Sequence, residues 1–252
     1  YRPSFSVSGF EAKMLKPQNV VEMLHAGSRD VGFAGADWVA ELDAELVELV
    51  DTRLDPVRVV AAAPRSLLQA GRLPTDRRLV VASEYVELAR RWIADQPFEA
   101  TFVRSYGATE AFPPEDADLI IDNTASGDTL RSNGLEIIDV VMESSTRLYA
   151  NPAALDDPSL GSRIQDLVLL IRSVLDGRSR VMLEVNVGGD DLAGLVDILP
   201  CMRHPTVSRL HGEDGYAVRA AVPLASLPEL LLEVKARGGT DLVVTQPSQI
   251  VP

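Results

Sequence analysis

Short runs of β-branched and other apolar residues alternate with helical patterns through most of the chain. This rhythm restricts the fold more than any other feature of the sequence. Parallel neighbours need a crossover between them, so many strand–helix cycles imply an α/β protein with mostly parallel sheets. Pro17 opens PQNVVEMLHAG as a first-turn proline and Gly27 closes it. DVGFAG reads as a strand, ADWVAELDA as a brief helix, and ELVELVD and VRVVAAAP as two strands. RRLVVAS, EYVELARRWIADQ, EATFVRS, a short helix near YGATEAF, and ADLIID then form a second α/β unit. LEIIDVVMES and STRLYANP read as two more strands ahead of the longest helix, DDPSLGSRIQDLVLLIRSVLDG. In it Ile164, Leu167, Val168, Ile171 and Val174/Leu175 recur at helical spacing as a core-facing stripe.

The last 75 or so residues change rhythm. RVMLEVNV is a strand, DDLAGLVDILP a helix, PTVSRLH and GYAVRAAVP two strands, LASLPELLLEVKARGG a helix and TDLVVTQ a strand. That order is β-α-β-β-α-β, the ferredoxin-like split unit, which by itself says nothing about function.

A formal net charge of −13 leaves no broad basic surface, which argues against a nucleic-acid partner. A small phosphorylated ligand is not excluded, because it needs only a local cluster of donors. The single cysteine, Cys201, forms no internal disulfide and reads as a small buried filler, and no Cys/His spacing suggests a zinc site. Apolar runs fall short of a membrane span and no signal peptide is visible, so the expected location is the cytoplasm, with no membrane partner. The chain begins at Tyr1 rather than Met, so a native segment upstream of it is expected.

Chemistry concentrates in ADLIIDNTASGDTLRSNG, where an apolar strand ends on Asp122 and runs into a hydroxyl-rich glycine turn. Thr124, Ser126 and Thr129 each supply an O–H, and Gly127 removes the Cβ that keeps an anion from the backbone. Asn133-Gly134 ends the short helix that follows. The same residues also suit a solvated strand-to-helix turn with Ser or Thr as N-cap, and Asp128 adds a negative charge beside the proposed nest. Asp122 stands at the carboxyl end of its strand, where open α/β sheets bind ligands, and Glu110 in GATE can reach the same crevice. Two carboxylates there suit ribose hydroxyls or a Mg²⁺ bridging phosphates. Alternatively, Asp122 caps the loop and Glu110 faces solvent. His25 reads as a surface or cap residue, Trp38 and Trp92 as core, and Arg90 and Arg91 as a solvated helix face.

Taken together, GATEAFPPEDADLIIDNTASGDTLRSNGLEIID resembles the signature of the ATP phosphoribosyltransferase family. That signature is carried by Gly107, Glu110, Ala117, Asp118, Ile120, Asp122, Ser126, Gly127, Thr129, Leu130, Asn133 and Gly134. MLKPQNVVEMLHAGSRDVGFAGADWV is similar to another family segment through Pro17, Gly27, Asp30, Gly32, Gly35 and Asp37. The tail resembles the regulatory domain of the family's long form through Leu199-Pro200, Pro205-Thr206-Val207 and Val218-Arg219-Ala220.

The resemblance implies a two-lobed, periplasmic-binding-protein-like (type II) catalytic region followed by a ferredoxin-like domain. Lobe I would span 1–77 and 136–177, lobe II 78–135 and the regulatory domain 178–252. It implies transfer of phosphoribosyl from phosphoribosyl pyrophosphate to N1 of ATP, the first step of histidine biosynthesis, with Mg²⁺ accompanying the phosphorylated substrates. Histidine would be the feedback inhibitor and the chain a homo-oligomer, dimer or hexamer. Thr124, Ala125, Ser126, Gly127, Asp128 and Thr129 would cradle the 5′-phosphate, and Glu110 and Asp122 would act at the ribose. Glu184, Asn186, Thr206 and Ser208 would contact the effector. The family's opening strand and Pro-Lys-Gly loop have no counterpart here, and Tyr1-Arg2-Pro3 falls where its Arg-x-Tyr-x-Pro region would be. Glu84 and Tyr85 replace the usual residues of a further family segment. These departures leave two other readings open: a non-catalytic binding or regulatory relative, and a solute-binding module of the same architecture.

Overall fold

The computed structural model describes residues 2–3, 7–212 and 214–251. Tyr1, matched above to a family segment, lies outside them. Contacts divide the chain into two units, Tyr1–Gly161 and Ser162–Pro252.

In the first unit, helix α1 (Pro17–His25) carries the expected first-turn proline and leads into β1 (Val31–Gly35) and α2 (Ala36–Glu41). Two long strands follow at a distance in sequence, β2 (Val47–Pro64) and β6 (Leu135–Ala150). Between them come β3 (Leu79–Ser83), α3 (Val86–Ala94), β4 (Ala100–Arg104), β5 (Leu119–Thr124) and α4 (Asp128–Ser132). All six strands form one sheet in the order β1-β6-β2-β5-β3-β4.

Only β3–β4 and β3–β5 are parallel; the pairs involving β2 and β6 are antiparallel. The expectation of mostly parallel sheets is corrected on this point, because the two long strands return along the sheet instead of crossing over by a helix. Each of them was expected as two strands. In β2 the stretch around Asp55-Pro56 looks like a turn in sequence. The backbone instead passes through it as an irregular ladder, with Arg53 and Asp55 at φ 55° and 47° and register shifts between Asp51 and Val57. Past this irregularity Val59 to Ala63 are fully buried, which matches a strand covered on both faces. Val59, Ala61, Val81, Tyr85, Leu88, Trp92 and Leu119 share one core cluster.

The second unit contains most of helix α6 (Pro158–Ser179), which follows the short α5 (Pro152–Asp156). Of the expected stripe Ile164, Leu167 and Val168 are buried and Ile171, Val174 and Leu175 half-buried. The tail packs on this helix: Ile250 N–H donates to Ser173 O at 2.9 Å and Gln246 Nε2 to Gly177 O at 2.8 Å.

Strands β7 (Arg180–Gly188), β8 (Thr206–Arg209), β9 (Gly215–Pro223) and β10 (Thr240–Thr245) form an antiparallel sheet in the order β10-β7-β9-β8. Helices α7 (Leu192–Val196) and α8 (Leu227–Ala236) complete the expected βαββαβ order. Val181, Leu183, Val185 and Val187 alternate into its core with Leu195, Leu230 and Val234. No helix of the described residues is long and apolar enough to cross a membrane.

Candidate functional site

The carboxyl ends of β5, β3 and β4 lie side by side, since these three strands run parallel as neighbours. Each end delivers a segment with acidic residues: Asp122 on β5, Glu84 just beyond β3, and Glu110 in the turn after β4. That turn is held by the Ser105 and Thr109 hydroxyls, 2.7 Å apart, and starts from left-handed Ala108. Burial raises the Asp122 carboxyl to about 6, and the negative charges of Glu110 and Glu84 push the same way. The Asn123 N–H, donating to Asp122 Oδ1 at 2.7 Å, opposes them. Glu110 is half-buried and acts electrostatically on Asp122, so the two candidate catalytic carboxylates feel each other's charge at the strand ends.

The turn after β5 is closed by its own hydroxyls. Thr124 is buried, and its Oγ1 accepts from Gly127 N at 2.9 Å. Ser126 Oγ accepts from Asp128 N at 3.3 Å and donates to an Asp128 carboxylate oxygen at 2.6 Å. Gly127 sits at φ +79°, where a Cβ would lie 3.1 Å from Arg131 Nη1 and 3.4 Å from Ile137 Cδ1. Glycine is therefore favoured by conformation, and a Cβ would in addition crowd the end of the Arg131 side chain. Ala125, Ser126, Asp128 and Thr129 face outward, whereas Thr124 and Gly127 shape the turn from within.

Asp128, the residue that argued against an anion here, is ion-paired with Arg131 one helical turn on. The Ser126 hydroxyl and then the Arg131 guanidinium hold its carboxyl below the usual range. Arg131 also donates to Ser126 O at 3.2 Å, so one cation offsets Asp128 and braces the loop. The i, i+3 spacing of Asp128 and Arg131 was the signal in the sequence that went unused. Asp118, in the same signature, is structural: it accepts from Val80 N at 2.8 Å and pairs with Arg77 at 2.5 Å.

Beside this loop lies a cleft of about 440 Å³, bounded by Asp51, Arg53, Arg58, Ala125, Ser144 and Arg147 among others. Arg147 is committed to Glu48 at 2.7 Å, while Arg58 has no side-chain partner among the described residues. A chain of net charge −13 thus places Arg53 and Arg58 next to the proposed phosphate loop, in a cleft that Asp51 and Glu143 also line. These arginines fall in and beside the TRLDP irregularity that looks like a turn in sequence, which is why pattern reading passed over them.

Asp37 and Tyr85 are joined in a buried hydrogen-bonded pair. Asp37 is buried and accepts from Tyr85 OH and Ser144 Oγ, each at 2.6 Å. Gly35 permits this, since a Cβ there would collide with the Asp37 carboxylate. Tyr85 is fully buried and stacks on Trp38 with ring centroids 4.7 Å apart. Burial, reinforced by the Asp37 charge, pushes its phenol well above the ordinary value.

In the second unit the four effector candidates share one sheet face. Glu184 pairs in register with Arg219 and Arg219 with Thr206, while Asn186 pairs with Ala217 and Ala217 with Ser208. Glu184 meets Arg219 at 3.0 Å, and Asn186 Nδ2 donates to Asp241 at 3.1 Å. Thr206 and Ser208, both exposed, make no side-chain hydrogen bond among the described residues.

Comparisons with known proteins identify the family. The family model for ATP phosphoribosyltransferase matches residues 16–173, and that for the HisG C-terminal domain matches residues 177–248. An ATP phosphoribosyltransferase of Desulforudis audaxviator is 34% identical over 100% of this chain and 89% of the relative. One of Pelotomaculum thermopropionicum is 31% identical, again over 100% of this chain and 89% of the relative. Among solved structures, the ATP phosphoribosyl transferase (HisG:HisZ) complex from Thermotoga maritima superimposes with a TM-score of 0.55. That match covers 66% of this chain and 86% of that one at 24% identity, and shows a shared fold. Matches to both family models, together with full-length relatives above 30% identity, establish that this chain belongs to the ATP phosphoribosyltransferase family.

Proposed function

We propose that this enzyme joins the anomeric carbon of phosphoribosyl pyrophosphate to N1 of ATP and expels pyrophosphate. The observation that carries the residue assignment is the closed, glycine-centred turn that follows Asp122 and lines, through Ala125, a cleft bearing arginines. The 5′-phosphate meets the outward edge of the turn, at the backbone of Ala125 to Thr129 and the hydroxyls of Ser126 and Thr129. Arg131 offsets the charge of Asp128, which removes the electrostatic objection to an anion there.

In the reaction N1 of ATP supplies the electron pair of the new C–N bond, and the departing pyrophosphate takes the pair of the old C–O bond. Positive charge develops at the anomeric carbon between these events. Asp122 and Glu110, held close by the fold, stabilise that charge and orient the ribose hydroxyls without forming a covalent bond. Arg53 and Arg58 bind the polyphosphate of the second substrate in the cleft. Mg²⁺ would accompany the phosphorylated substrates and neutralise part of their charge.

The regulatory reading places histidine on the β7–β9–β8 face, at Thr206 and Ser208 beside Glu184 and Asn186, in a homo-oligomer. The test is turnover by the full-length protein with ATP, phosphoribosyl pyrophosphate and Mg²⁺. Pyrophosphate and an N1-phosphoribosyl adduct of ATP are expected in equal amounts, and histidine lowers the rate. Pyrophosphate release that does not depend on both substrates contradicts the assignment.

A further inference from the structure

A buried polar chain runs through the first unit from the cleft wall to the candidate catalytic carboxylate. Ser144, which lines the cleft, donates from Oγ to Asp37 Oδ1 at 2.6 Å and accepts from Asp37 N at 3.1 Å. Tyr85 OH donates to Asp37 Oδ2 at 2.6 Å and accepts from Asn123 Nδ2 at 2.9 Å. The backbone N–H of the same Asn123 donates to Asp122 Oδ1 at 2.7 Å. A second tie reaches β5 through Ser83, whose Oγ donates to Ile121 O at 2.6 Å and accepts from Tyr85 N at 2.9 Å. Tyr85 is thus fastened to β5 by both its backbone and its phenol, one to three residues ahead of the phosphate turn.

A buried hydroxyl with its donor and acceptor both engaged has one orientation, because either partner left alone carries a desolvation cost. Stacking on Trp38 fixes the ring itself. From this geometry we propose that Tyr85 is a positioning residue for the transferase reaction, setting the Asn123–Thr124 backbone and through it the Asp122 carboxylate and the phosphate turn. The proposal rests on the reading of Asp122 as a group that acts at the ribose. It gives the Asp37–Ser144 pair a function as the fixed end of the tether, on β6 and α2, against which the end of β5 is held.

A separate brace supplies the control. Glu41, also buried, accepts from Val86 N at 2.6 Å and from Leu88 N at 3.0 Å, capping α3 without touching β5. Tyr85→Phe keeps the ring, its stack and the Ser83 tie but deletes the phenol link to Asn123. Asn123→Ala cuts the same tether at its exposed end, where folding is little affected.

Both variants should lose kcat by about tenfold or more while KM for ATP stays within about threefold, since misplacement of order 1 Å costs up to about a hundredfold. Amide hydrogen exchange at Asn123–Gly127 should accelerate in both, and Glu41→Gln should lower the melting temperature yet keep kcat within about twofold. Wild-type kcat in Asn123→Ala, or an equal loss in Glu41→Gln at matched stability, overturns the proposal. If the wild-type protein lacks transferase activity, the reading of the site falls, and exchange alone then decides: unchanged exchange in both tether variants overturns the tether too.

Discussion

Replacing Asp122 with asparagine should stabilise the first unit at neutral pH while abolishing turnover. Burial and two neighbouring carboxylates hold Asp122 at about 6, against 3.8 for an ordinary aspartate. Below 3.8 the folded and unfolded chains both carry the proton, and the group costs nothing. As pH rises towards 6 the unfolded chain releases its proton and the folded chain keeps it, so stability falls. Above 6 the loss levels off, at about 1.4 kcal/mol for each pH unit of the gap, or about 3 kcal/mol. Asparagine is neutral throughout, and its side-chain oxygen can still accept from Asn123 N–H.

The advantage of Asp122→Asn should therefore grow from under about 1 kcal/mol at pH 4 to about 3 kcal/mol at pH 7. For a unit of this size that corresponds to roughly 6–12 °C in melting temperature. Thermal or urea unfolding of both proteins at half-unit steps from pH 4 to pH 8 measures it. A difference that stays flat with pH, or a variant less stable at pH 7 than the parent, would refute the picture of a half-buried carboxylate whose charge the fold disfavours.

Two further outcomes follow from the same geometry. Glu41→Ala removes the acceptor that caps α3 and should cost about 2 kcal/mol or more, read as a lowered urea midpoint; a loss below about 0.5 kcal/mol would show that the cap is idle. In the second unit, Thr206→Val combined with Ser208→Ala should raise the histidine concentration for half-inhibition about tenfold, through the loss of one or two hydrogen bonds. An unchanged value removes these residues from the effector site.

The parts of the molecule that were legible in sequence are those governed by local rules. Pro17 marked a helix start, RVMLEVNV read as the strand that became β7, and the β-α-β-β-α-β order appeared as read. The turn at Gly127 was legible because glycine between hydroxyls after an apolar strand has few other uses. What stayed hidden depends on long-range pairing. The continuity of β2 through Arg53 and Asp55 is imposed by β6, some 90 residues away, over a stretch whose own preference is a turn. The joining of Ser144 to Asp37 spans 107 residues, and no spacing rule reports it. Asp128 lies between these cases: its partner Arg131 is only three positions away, but the pair forms only because a helix begins at Asp128.

Affinity measured on wild type and on Gly127→Asp tests the central assignment most directly. At φ +79° any side chain is strained, and this one adds negative charge where the 5′-phosphate is placed. Titration should show phosphoribosyl pyrophosphate binding weakened at least about tenfold, with ATP binding held within about twofold. Equal losses for both ligands, or no loss for phosphoribosyl pyrophosphate, would contradict the assignment of Thr124 to Thr129 as the phosphate cradle.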